Sequence, residues 1–156
     1  MRSQILKFAL LGLIAVAAQV LLFRHLTIFN TTADVVLVYL IWAGLHTGRS
    51  TLLIVTAITA FFQDALLDLW GINMFVKSLT LFFAYSIIQR SRDTQPLFWQ
   101  VFLGVLAISF LHNIISIALS AFIDHYATEY IFGSFVLGSS TYTAIIGTGL
   151  YALSRN

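Results

Sequence analysis

Long apolar runs separated by short polar breaks dominate this chain, and the length of the runs decides its fold class. Runs of about twenty residues, enough for an α-helix to cross the hydrocarbon core of a bilayer, cover positions 5–23, 52–70, 72–89, 97–121 and 130–153. A sixth run, 34–48, is shorter. It either extends back through Leu26, spans a locally thinned bilayer, or is re-entrant. Breaks fall around Arg24 and His25, at His46 to Arg49, at Gly71, between Arg90 and Pro96, and between Asp124 and Glu129. Pro96, the only proline, stands where a helix begins and a missing N–H costs little. The pattern predicts an all-α polytopic bundle of about six transmembrane helices, forming one integral membrane domain over 1–156.

Composition strengthens this reading. The chain is 60% hydrophobic and 9% charged, against about 25% charged in soluble domains. So little charge cannot cover a water-facing surface. The first run resembles the apolar region of a signal peptide, but it is long and no Ala-x-Ala-type site ends it, so it reads as a retained helix. Cysteine is absent, which removes disulfides and thiolate chemistry. A net charge of +2 is too small to suggest nucleic acid.

The eight Lys and Arg residues report topology instead. With six spans and the N-terminus inside, Arg2, Lys7, Arg49, Arg90, Arg92 and Arg155 are cytoplasmic, Arg24 is outside and Lys77 is within the membrane. The positive-inside rule favours this orientation, with both termini cytoplasmic. The outer segments then carry Asp34, Asp124 and Glu129, with Asp68 close by. Trp70, Trp99, Tyr126 and Tyr130 fall near span ends, where aromatic side chains anchor at the interface. Trp42 lies further inside its run, and His46 and His125 fall near membrane edges.

Ionisable residues inside such runs are expensive and face a partner or a wet cavity. Asp64 and Asp68 are four apart, so a helix would place them on one face with Ala57 and Ala60. Gly71 makes the third and fourth runs a hairpin, and Lys77, six residues beyond it, falls at a depth between the two carboxylates. Two readings follow. Lys77 pairs with one aspartate and snorkels with the other toward the outer interface. Alternatively, the three line a wet pocket, or a docking face whose partner supplies the counter-charge. The fifth run carries a stripe of Ser109, His112, Asn113, Ser116 and Ser120, and the last is rich in Ser, Thr and Gly. Such stripes serve helix packing and interhelical hydrogen bonds, or here a polar cavity centred on His112 and Asn113.

No enzyme signature is complete. Asp64 and Asp68 resemble half of a phosphatidyltransferase motif, but the upstream Asp-Gly-x-x-Ala-Arg half is absent and Ala60 stands where that motif has glycine. Intramembrane protease motifs are absent, and His112 has no second ligand at helical spacing, so neither catalysis nor a metal or other cofactor is expected.

Several segments together resemble the MreD family of bacterial rod-shape-determining membrane proteins. A first span ends in Ala18-Gln19-Val20-Leu21-Leu22, and a polar outer segment leads into a short helix running from Asp34 through Tyr39 to Trp42. An aspartate late in the third span, in Phe61-Phe62-Gln63-Asp64, is followed by Gly71-Ile72-Asn73-Met74-Phe75 and then by a span holding Ala84 and Tyr85. The resemblance covers Ala15 to Arg92. This chain lacks the proline common before the second span and has Thr56, Ala57, Thr59 and Ala60 where glycines are usual.

The resemblance implies a non-catalytic scaffold of the wall-elongation complex in the bacterial cytoplasmic membrane. Such a scaffold binds a bitopic MreC-like partner, connects to MreB and the wall synthases, and contacts membrane lipids. It also implies a fold like the substrate-binding subunits of energy-coupling-factor transporters, with Asp64 to Lys77 beside an outward pocket or groove. A small-molecule- or lipid-binding transporter subunit is the alternative. The residues expected to carry either role are Asp64, Asp68, Gly71, Lys77, His112 and Asn113.

Overall fold

The computed structural model of the chain describes residues 2–23, 26, 31–69, 71–92, 96–122 and 132–155. Six helices form among them: α1 (Arg2–Ala18, continued by a π-helical stretch, Gln19–Phe23), α2 (Val35–His46), α3 (Arg49–Leu67), α4 (Ile72–Arg92), α5 (Phe98–Phe122) and α6 (Phe132–Arg155). Each corresponds to one of the six apolar runs. Trp70, Arg24 and the segment holding Asp124, His125, Tyr126, Glu129 and Tyr130 lie outside the described residues.

Among the described residues, four helices are long and apolar enough to cross a membrane: Ser3–Phe23, Arg49–Leu67, Ile72–Arg92 and Phe98–Ala121. This is the organisation of a multi-pass membrane protein. α6 matches them in length, but Ser, Thr and Gly dilute its hydropathy because it packs closely on α5 and α2. Large apolar side chains such as Leu6, Ile14, Leu66 and Leu153 point outward, as a lipid-facing surface requires.

Local chemistry sets the helix ends. Asp34 caps α2, its carboxylate accepting from the Leu37 N–H at 2.9 Å. Asp68 ends α3 in the left-handed conformation, φ 57° and ψ 40°, and its N–H donates to the Asp64 carbonyl. Gly71, at φ 89°, completes the turn into α4. Before α5, the Leu97 N–H donates to the Gln100 side chain at 3.0 Å, half of a capping box.

Successive helices alternate in direction, and α2 is the hub. It packs against α1, α3, α4, α5 and α6, and Val36, Leu37, Leu40 and Ala43 are fully buried. At 12 residues and 1.5 Å per residue it is about 18 Å long, well short of the roughly 30 Å hydrocarbon core. Its C-terminal end leads at once into exposed Gly48 and Arg49, so its N-terminal end, at Val35, lies inside the bundle.

Close approach elsewhere rests on small residues. A Cβ at Gly12 of α1 would meet the Thr59 Oγ1 of α3 at 2.2 Å. We expect Gly12→Ala to cost about 1–3 kcal/mol through overpacking. Adding Thr59→Ala should recover most of the loss, read from denaturation midpoints in detergent.

Candidate functional site

Because α2 starts inside the bundle, the segment leading into it, 31–34, brings non-helical backbone to depth. Such backbone is tolerated in a membrane only where protein satisfies its polar groups. Here it does. Gln19, at the start of the π-helical stretch, donates to the Ala33 carbonyl at 2.8 Å and accepts from the Val35 N–H at 2.7 Å. Ser139 donates to the Thr32 carbonyl at 3.0 Å, and the Asp34 N–H donates to Thr143 Oγ1 at 3.0 Å. Thr31 is buried against Gly138, where a Cβ would come within 2.9 Å of it.

The Asp34 carboxylate then meets Lys77 of α4. The two form a hydrogen-bonded ion pair in which the Lys77 side chain is 0% exposed and that of Asp34 18%. His112 of α5 completes the centre, its Nε2 lying 3.5 Å from Lys77 Nζ and 3.9 Å from Asp34 Oδ2. An ammonium group can only donate, so Nε2 accepts, which assigns the ring proton to Nδ1. That nitrogen faces Asn113 Oδ1 at 3.4 Å, and Asn113 Nδ2 donates to Ser140 Oγ at 3.0 Å. The chain Asp34–Lys77–His112–Asn113–Ser140 thus joins α2, α4, α5 and α6, and the bond from Asp34 to Thr143 closes it back on α6. Ser109, one turn before His112, is buried with an unpaired hydroxyl.

The expected pairing within the α3–α4 hairpin is not what forms. Asp64 is 3% exposed, but its carboxylate accepts from the Asn73 and Met74 N–H groups at 3.1 and 2.9 Å. It caps α4 across the turn, where orphan N–H groups and the positive end of the helix dipole favour an anion. Lys77 lies less than two turns further on and reaches Asp34 at the start of α2 and His112 on α5. Nor does Asp68 share a helix face with Asp64. α3 has ended before it, and its side chain is exposed. Gly71 serves the turn and meets none of the polar centre.

His112 and Asn113 do come together with Lys77, in a buried junction among the described residues; both are 5% exposed. Asp34, Gln19, Ser139, Ser140 and Thr143 complete the site, though the sequence by itself places Gln19 at the end of the first span, Asp34 in an outer segment and the other three in helix packing. A signal was present for one of them. An aspartate immediately before an apolar helical run marks an N-cap, and a run too short to span places that cap below the surface. Among the described residues no three His, Asp or Glu side chains gather as metal ligands. Compared with family models, with curated proteins and with solved structures, the chain matches none of them.

Proposed function

We propose that this chain is a non-catalytic adaptor of the MreD kind. It sits in the bacterial cytoplasmic membrane with both termini inside and binds the transmembrane helix of a bitopic, MreC-like partner. Through that partner it connects to MreB and the wall synthases. One observation carries the reading: the intramembrane charges are compensated within the bundle, so recognition falls to apolar helix faces. Lys77 is bound to Asp34, and Asp64 to the start of α4.

A face of the required kind lies between α1 and α3. Ile5, Leu6, Ala9, Leu10, Ile58 and Phe62 border a hollow of about 380 Å³ with small Ala9 at its floor. A helix seated there would gain dispersion contacts, the main force between helices in lipid. The proposed orientation is supported by charge. Lys7, Arg49, Arg90 and Arg92 gather at one end of the bundle, whereas Asp34, Asp64 and Asp68 lie in the other half.

Leu10 is 54% exposed, so Leu10→Trp fills the hollow without disturbing the core. It should reduce co-purification of an MreC-like partner at least about tenfold, a change of about 1.4 kcal/mol. Leu153→Trp, on the exposed end of α6, should leave it unchanged. Equal recovery of the partner with both variants would refute the adaptor reading at this face. The transporter-subunit alternative has one observation in its favour, a larger cavity, but that cavity opens at the basic end and not beside His112.

A further inference from the structure

Below the polar junction, α2, α4, α5 and α6 part around a cavity of about 470 Å³, within the range of roughly 300–1,000 Å³ typical of ligand sites. Its depth is aliphatic, walled by Ile41, Ile88, Val105 and Ile108, of which the last three are almost fully buried. Its mouth carries Arg92 and Gln100, both exposed. Arg92 stands on the last turn of α4, at the end of the bundle that also holds Lys7, Arg49 and Arg90. The Gln100 carbonyl oxygen is occupied by the Leu97 N–H, which leaves its amide nitrogen as a donor.

An aliphatic shaft with cationic and amide donors at its mouth, placed where helix ends meet lipid headgroups, matches one chemistry: a hydrocarbon tail bearing a negative head. Basic pockets between transmembrane helices bind anionic lipid headgroups in this way. We propose that the cavity is a binding site for an anionic phospholipid of the adjacent leaflet. One acyl chain lies between α2, α4 and α5, and the phosphate accepts hydrogen bonds from Arg92 and Gln100. This site is separate from the α1–α3 hollow and stands whichever protein partner the chain has.

Gly104 supplies the test. It lines the cavity, and a Cβ built there meets nothing within 4 Å. Gly104→Phe therefore grows into the shaft and displaces a chain without displacing protein. The purified full-length protein, stripped of lipid in detergent, is titrated with phosphatidylglycerol or phosphatidylcholine, and bound lipid is counted by native mass spectrometry. The wild type should hold one phosphatidylglycerol and prefer it over phosphatidylcholine about fivefold, the scale of one arginine near an anionic headgroup. Arg92→Gln should still bind lipid but lose the preference, and Gly104→Phe should lose the bound lipid. The proposal is overturned by equal binding of both lipids to the wild type. It is equally overturned by a preference that survives Arg92→Gln, or by undiminished lipid on Gly104→Phe.

Discussion

Lys77→Met destabilises the bundle by roughly 3–5 kcal/mol, and a second change, Asp34→Asn, returns most of that loss. Methionine fills the volume of the lysine stem but leaves the Asp34 carboxylate at depth without its counter-charge. Removing one partner of a buried pair costs far more than removing both, since the survivor keeps its desolvation penalty without compensation. Asparagine keeps an acceptor for the Leu37 N–H and carries no charge, so the double variant has neither an orphan ion nor an open cap. The measurement is the denaturation midpoint of each variant in the same detergent. A double variant no more stable than Lys77→Met would mean that mutual neutralisation is not why the two residues are there. Because the pair ties α2 to α4, its loss should act through the fold and not through a lost docking contact.

Asp64→Ala is expected to cost about 2–3 kcal/mol, the upper range for hydrogen bonds to a charged group. It strips two N–H groups of α4 of their acceptor in a buried turn. Asp64→Asn, with one carbonyl oxygen, should lose about half as much. Asp68→Gly is the contrasting variant. That side chain is exposed and its backbone sits at φ 57°, a conformation glycine adopts without strain, so stability should stay level or rise. Hydrogen exchange at Asn73 and Met74 separates the cases, accelerating in Asp64→Ala and not in Asp68→Gly. Equal loss in both variants would place the contribution of Asp64 in general charge balance and not in the cap.

The partners of the charged residues were less legible than the helices. Spacing puts Lys77 at a depth between those of Asp68 and Asp64. Spacing does not say which way a side chain faces when a third and fourth helix are also in reach. Lys77 turned to α2 and α5, and the nearest orphan N–H groups took Asp64. His112 and Asn113 belong to a polar stripe in the sequence, but what that stripe meets depends on Lys77 and Ser140 arriving from other helices. Asp34 illustrates the difficulty best. It looks like an ordinary outer-segment acid until the shortness of α2 is taken literally.

What the sequence determined by itself is the membrane class, the six helical segments and the concentration of basic residues at one end. Each follows from local quantities: the apolar length needed to cross lipid, caps and breakers at the ends, and the count of Lys and Arg along the chain. Only the tertiary structure decided which charges neutralise one another and where open volume remains. Those outcomes depend on contacts between residues as far apart as Asp34 and Thr143. In a medium of low dielectric, a charge binds whichever compensating group the packing brings nearest.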